Sequence, residues 1–529
     1  MSTYSPPALE GLMMRTPLLV RGIAERAEQL FAEREIVSAT ATGVERSTYA
    51  DVVARARRLA SALRELGIRP GDRVGTFGWN SVRHLELYLA VPSMGAVLHT
   101  LNIRLFDDDL RYIAGHAEDR VIFLDASLAD RMPRFDGVEH EILMPDCDAS
   151  REGAIDYEEF LASGDPGFAF PELDENLAAA MCYTSGTTGL PKGVVYSHRS
   201  TVLHSLLTNQ ADGPGLRERD TVLPIVPMFH ANAWGLPYAA AMAGSKLVLP
   251  GPRMDPADLA SLIAQERVTF AAAVPTIFQG IAQLEPQPDL SSVERLICGG
   301  SAVPESLMRL YDERFGVPII QAWGMTETSP MASVSRVPPG SVSDDDEAYA
   351  VRAMQGRVVP FVEFRVDEES GGELEVRGPT IASAYYNDET GADKFSDDGW
   401  LRTGDVAEVK HGAIIKLVDR TKDLVKSGGE WISSVELENV IMGHSDVVEA
   451  AVVAIPHERW GERPCACVVR REGSSLTDGE LRSFLGDKVA KWWLPDRVEF
   501  IAEVPKTSVG KFDKKVLRAQ IAEDSLERG

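Results

Sequence analysis

An apolar run, Leu177 to Cys182, passes directly into Tyr183-Thr184-Ser185-Gly186-Thr187-Thr188-Gly189-Leu190-Pro191-Lys192-Gly193. Hydroxyls from Thr184, Ser185, Thr187 and Thr188, three glycines and Lys192 crowd into this stretch. They offer many donors on a backbone free to wrap around an anion, and phosphate is the natural ligand. A Walker loop would put lysine directly after its second glycine, whereas Gly189 is followed by Leu190-Pro191-Lys192. A plain Ser/Thr/Gly surface turn would need neither the lysine nor the proline at fixed places. The stretch reads as a phosphate loop of another kind.

The surrounding chain alternates helix and strand. Val52, Ala56, Leu59, Leu63 and Leu66 recur at helical spacing from Thr48 to Leu66, and Gly67 ends the run. Strands are expected at Arg73 to Phe77, Ala96 to Leu98 and Val121 to Leu124, with helices at Val82 to Leu89 and Asp107 to His116. Such alternation implies a parallel sheet. The acids Asp107-Asp108-Asp109 at a helix start complement the helix dipole and need no metal. A second βα layer is expected from strands Lys246 to Leu249, Phe270 to Val274, Glu294 to Cys298 and Ile319 to Ala322, with a helix at Leu259 to Val268. Two of these strands run into Gly299-Gly300-Ser301-Ala302 and Trp323-Gly324-Met325-Thr326-Glu327-Thr328. That edge of a parallel sheet is where ligands sit. After Ser341 short β runs suggest a small β subdomain, with Asp344-Asp345-Asp346-Glu347 as a solvated loop, and a compact unit begins near Asp419.

A chain of 529 residues allows about two to four domains. With 80 acidic against 54 basic residues, a formal charge of −26 argues against nucleic acid or an anionic membrane surface as partner. Cys147, Cys182, Cys298, Cys465 and Cys467 show no C-x-x-C spacing and indicate neither a disulfide framework nor a zinc site. Met1 to Glu10 lacks a basic region followed by an apolar core, and no long apolar run occurs. A cytosolic protein without an integral membrane segment is expected.

The motif Y-T-S-G-T-T-G-x-P-K-G resembles the signature of the adenylate-forming superfamily of acyl-CoA synthetases, luciferases and adenylation domains. The stretches P-M-F-H-A-N-A-W-G, W-G-M-T-E, K-S-G-G-E-W-I-S-S and A-K-W-W-L-P-D extend it, most closely to the medium- and long-chain fatty acyl-CoA ligases. The resemblance implies an α/β fold with a large N-terminal adenylation domain, residues 1–418, whose β subdomain spans about 341–418. It implies a small mobile α+β domain at 419–529, hinged at Lys422. The implied reaction joins a carboxylic acid to ATP as an acyl-adenylate, then passes the acyl group to coenzyme A. Carboxylate is a poor nucleophile towards an anionic phosphate, so charge must be neutralised and the reactants aligned.

By that resemblance Thr184, Ser185, Gly186, Thr187, Thr188 and Lys192 would hold the β- and γ-phosphates, Thr326 the α-phosphate, and Glu327 a Mg²⁺ ion. Gly300, Ser301 and Gly324 would border the nucleotide, with Trp323 replacing a tyrosine that stacks on adenine in many relatives. Asp405 and Arg420 match the pair at the ribose hydroxyls, and Lys511 matches the lysine that bridges carboxylate and phosphate. Rotation at Lys422 would exchange Lys511 for the loop of Gly428 and Gly429 beside the pantetheine tunnel. His230 would lie near the acyl carbon. Trp234, one turn further on if that segment is helical, would line or gate an acyl tunnel with Ala231 and Ala302. His411-Gly412-Ala413 departs from the acid, glycine and aromatic common in relatives. The acid itself stays open: a fatty acid leads, and the small Gly235, Ala239, Ala240 and Ala241 also suit a bulky polycyclic acid of secondary metabolism. A stand-alone adenylation enzyme loading a carrier protein, or an inactive acyl-adenylate binder, are the other readings, and a homodimer is compatible with all of them.

Overall fold

The computed structural model describes residues 10–41, 43–184, 190–367, 372–410, 412–428, 430–486, 488–506 and 512–528. The long helix near the N-terminus shows why the periodicity was legible. Val52, Ala56, Leu59 and Leu63 are fully buried along one face of Tyr49–Glu65, and Thr48 and Asp51 close a reciprocal cap at its start.

Helices of this kind cover two largely parallel sheets. The first runs in spatial order Ile155–Asp156, His140–Met144, Asp119–Asp125, Arg73–Phe77, Val97–Thr100, Ala178–Tyr183, Gly193–Ser197. Only the last pair is antiparallel, with Tyr183 opposite Gly193, so the two ends of the expected phosphate loop are held side by side at the sheet's edge. The second sheet has a parallel centre: Glu35–Ala39, Lys246–Leu249, Thr221–Pro224, Phe270–Ala273, Arg295–Cys298 and Ile319–Gly324. Its edges, Val44–Thr48 on one side and Met331–Val334 with Arg357–Val358 on the other, are antiparallel. Phe270–Ala273 and Arg295–Cys298 are buried throughout, as strands covered on both faces must be.

A four-stranded antiparallel sheet follows, Glu363–Asp367, Glu373–Arg377, Leu401–Lys410 and Ile414–Arg420. The small C-terminal domain is built on the long hairpin Val447–His457 and Gly461–Arg470, and has its own core of Val425, Ile432, Leu437, Val452, Val468 and Leu481. Cys465 and Cys467 lie buried on one face of its second strand.

The acids Asp107 to Asp109 occupy the first turn of Asp107–Ala117 as expected. The acids at 344–347 do not form a solvated loop. Asp344 caps the helix Asp345–Arg352, its side chain accepting from the Glu347 amide, because carboxylates at a helix start satisfy free amides and the dipole. No helix among the described residues is long and apolar enough to cross a membrane.

Candidate active site

The strands Ala178–Tyr183, Thr221–Pro224, Arg295–Cys298 and Ile319–Gly324 all deliver their following loops to one cavity of about 400 Å³. Its polar lining includes Thr184, Lys192, His230, Thr326, Glu327, Tyr385, Lys394, Arg420 and Lys422; its apolar lining includes Trp234, Leu236, Ile297, Met331 and Pro214.

The neck of the phosphate loop is closed by two hydrogen bonds. The Thr184 amide donates to the Lys192 carbonyl at 2.9 Å, and the Lys192 amide to Thr184 Oγ1 at 3.1 Å. The Lys192 ammonium pairs with Asp388 at 3.0 Å and lies 5.0 Å over the Tyr385 ring. Gly391 lets the Tyr385 ring pack close beneath it, since a Cβ there would stand 2.5 Å from the ring edge. Tyr385 also donates its hydroxyl to Glu327 at 2.6 Å, and burial, together with that carboxylate, holds the phenol well above its usual pKa. Backbone bonds tie the same segment to both partners: Ala382 N to the Glu327 carbonyl and Tyr386 N to the Gly193 carbonyl, each at 2.8 Å.

Trp323 sits at the end of its strand with its indole N–H donated to Asp405 at 3.1 Å. Asp405 is buried, and Arg420 approaches its other oxygen at 3.3 Å. The indole therefore keeps a polar handle although it lacks the hydroxyl of the tyrosine expected from the family resemblance. Close by, burial first and the Arg420 guanidinium second draw the Lys422 ammonium below its ordinary pKa.

The expectation of an ordinary helical turn between His230 and Trp234 is corrected. Ala231, Asn232, Ala233 and Trp234 have φ of 43°, 54°, 49° and 55°, and Gly235 follows at 70°. This left-handed turn costs on the order of 1–2 kcal/mol per non-glycine residue, so its surroundings must impose it. They do so with buried polar groups. Asn80 donates to the Pro224 and Val226 carbonyls and accepts from the Met228 amide at 2.7 Å, while Cys182 donates to Asn232 at 3.1 Å. Gly235 is obligatory, because a Cβ would stand 2.6 Å from His204 Nδ1. Trp234 lies along the cavity wall, where a Cβ on Gly299 would meet its ring at 3.5 Å.

The base of the Lys511 loop is pinned by a bridge between Lys506 and Phe512 and by the Asp513 amide donating to the Pro505 carbonyl at 2.7 Å. The helix Lys514–Arg528 then packs back towards Lys422 and Asp423. Lys514 pairs with buried Glu438 at 2.7 Å and donates to Ser434 at 2.6 Å, and Arg518 pairs with Asp423. Glu438 and Asp419 outweigh the burial that would neutralise Lys514 and hold its pKa up.

The cavity thus brings together Thr184, Lys192, His230, Ala231, Trp234, Gly300, Trp323, Gly324, Thr326, Glu327, Arg420 and Lys422, with Asp405 just behind Trp323. Ser301 and Ala302 do not line it, and Gly428 lies away from it, its amide bonded to the Trp460 carbonyl at 2.8 Å. Ser185, Gly186, Thr187, Thr188, Gly429 and Lys511 lie outside the described residues. Sequence reasoning missed Tyr385, Asp388 and Lys394, whose one local signal is the polar Tyr385-Tyr386-Asn387-Asp388 stretch ahead of the third small-sheet strand.

A profile of the AMP-binding enzyme family matches residues 24–386, and one of the AMP-binding enzyme C-terminal domain matches residues 436–511. The chain is 48% identical over 534 residues to the long-chain-fatty-acid–CoA ligase of Thermus thermophilus, covering 97% of each chain. It is 44% identical over 530 residues to the medium-chain-fatty-acid–CoA ligase of Ectopseudomonas oleovorans, covering 96% of this chain and 97% of that one. It superposes on ATP-bound MatB of Rhodopseudomonas palustris with a TM-score of 0.81 at 27% identity, over 95% of this chain and 99% of the other. With its closed loop neck at Thr184 and Lys192, its buried aspartate bonded to an indole N–H and its small C-terminal domain, the chain belongs to the AMP-binding enzyme family.

Proposed function

We propose that this AMP-binding enzyme is an AMP-forming acid–CoA ligase acting on a medium- or long-chain fatty acid. The observation that carries the reading is one continuous cavity joining phosphate and nucleotide groups (Lys192, Thr326, Trp323) to an apolar arm (Trp234, Leu236, Ile297, Met331) past His230.

In the first step a carboxylate oxygen bonds to the α-phosphorus of ATP and pyrophosphate leaves. In the second the thiol sulfur of coenzyme A bonds to the acyl carbon and AMP leaves. Trp323 presents its face to adenine while its N–H holds Asp405 for the ribose hydroxyls. Lys192 exchanges Asp388 for phosphate oxygens, the loop Ser185, Gly186, Thr187, Thr188 encloses them, and Thr326 meets the α-phosphate. Glu327 is a single carboxylate with one oxygen taken by Tyr385. That suits Mg²⁺, which binds through few carboxylates; Glu327 would hold it, and it would supply neutralisation of phosphate charge. His230 orients the acid. Lys511, carried on the loop based at Lys506 and Phe512, bridges carboxylate and phosphate; a swing about Lys422, with the domain boundary between 418 and 419, withdraws it for the second step.

The half-reactions are measured apart, as pyrophosphate exchange and as coenzyme A consumption from premade acyl-adenylate. Lys511→Ala is expected to lower exchange at least about 100-fold and to leave thioester formation within about threefold of the unaltered enzyme, since it acts in the first step alone. Equal loss in both removes the role given to Lys511. Exchange without any transfer to coenzyme A would favour a carrier protein as acceptor.

A further inference from the structure

We propose that a backbone bracket at residues 210–216 closes the far end of the acyl arm and limits the acid to about ten to twelve chain atoms, a figure derived below from extended-chain dimensions. The inference rests on the reading of the cavity as an acyl pocket.

The helix His198–Asn209 ends at the cavity, and the chain doubles back across its last turn. The Gly215 and Leu216 amides both donate to the Thr208 carbonyl, at 2.9 and 3.4 Å. Thr208 and Pro214, on the two sides of this turn, line the cavity. Three consecutive carbonyls of the bracket are held by two arginines from the neighbouring strands and loop. Arg336 donates to Gly213 at 2.7 Å, and Arg295 donates to Pro214 at 3.1 Å and to Gly215 at 2.6 Å. Arg295 is itself buried and paired with buried Asp220 at 2.6 Å. A guanidinium fixed in this way holds its acceptors rigidly, since moving them would leave a buried charge without partners. The turn is also tight against the helix end, where a Cβ on Gly213 would stand 2.5 Å from the Leu207 carbonyl.

The depth of the arm follows from one strand. Arg295, Ile297 and Gly299 alternate onto the same face; Ile297 and Gly299 line the cavity and Arg295 holds its floor. From Gly299 to Arg295 is four residues, about 13 Å at ~3.3 Å each. An extended chain advances about 3.3–3.6 Å per three backbone bonds, so ~13 Å holds about ten to twelve chain atoms.

The test is pyrophosphate exchange on straight-chain acids from hexanoic to hexadecanoic with three proteins: unaltered, Thr208→Leu and Pro214→Gly. The unaltered enzyme should lose at least about tenfold in kcat/KM beyond dodecanoic acid, the lower range for one misfitting methylene. The ratio of dodecanoic to hexanoic turnover should fall in Thr208→Leu, which fills the end. The ratio of hexadecanoic to dodecanoic turnover should rise in Pro214→Gly, which opens it. If one variant fails to fold, the other still moves its ratio in one stated direction. Equal turnover of decanoic and hexadecanoic acid by the unaltered enzyme, or one length profile shared by all folded variants, overturns the bracket as a stop. Exchange with none of the acids would instead remove the acyl reading of the cavity.

Discussion

At Trp323 a single atom separates two roles. On the proposed reading its ring face is the surface offered to a base, while its Nε1 hydrogen is committed to Asp405. Trp323→Phe keeps the face and deletes the hydrogen bond. A bond to a charged group contributes about 1.5–3 kcal/mol, so the KM for ATP should rise about tenfold or more, with kcat little changed. An unchanged KM would mean that Arg420 alone sets the Asp405 carboxylate. Residues of this kind were legible because they stand in contiguous motifs: Trp323, Gly324, Thr326 and Glu327 fall together at the end of one strand. Tyr385 and Asp388 were not legible. They reach Glu327 and Lys192 from a segment some 58 positions further on in the case of Tyr385 and Glu327, through backbone pairing that no local composition announces.

Among the elements, regular ones were readable and the irregular one was not. Lys246–Leu249 is a strand over the residues its apolar run marks, and Asp107–Ala117 starts on the acids that favour it. The left-handed turn at Ala231–Trp234 has no such signal, because Asn232 and the following Gly235 suit positive φ but the two alanines and the tryptophan do not. Other elements hold it: Asn80 fixes the residues that lead into the turn, and Cys182 bonds to Asn232 within it. The C-terminal helix offers a sharper test of tertiary control. Removing one partner of the buried Lys514–Glu438 pair leaves an unpaired charge, so Lys514→Met should cost about 3–5 kcal/mol in denaturant unfolding of the C-terminal domain. Adding Glu438→Gln should restore most of that loss. A double variant no more stable than the single one would place the energy in packing instead of charge.

For the whole molecule, buried ionisable groups set the pH window of stability. Burial, with Asp146 nearby, pushes the Asp125 carboxyl up to about 8 from an ordinary 3.8. Between those values the folded state holds a proton that the unfolded chain has lost, so this group makes stability fall as pH rises to about 8, by up to about 1.4 kcal/mol per unit. Burial has the opposite consequence at His84, His198 and His204, each held at about 4 from 6.5. The unfolded chain takes up their protons first, so they make stability fall as pH drops from about 6.5 to 4. Thermal unfolding should therefore show greatest stability near pH 6.5, and Asp125→Asn should abolish the decline from there to pH 8. A decline that survives the substitution would have another origin.

The pairing of Lys192 with Asp388 has a consequence for how a chain of net charge −26 acquires a polyanion at all. Long-range attraction is not available to it. On the proposed reading the phosphate seat is occupied beforehand by a carboxylate of the protein's own, so nucleotide entry would be an ion exchange: one anion displaces another from the same cation.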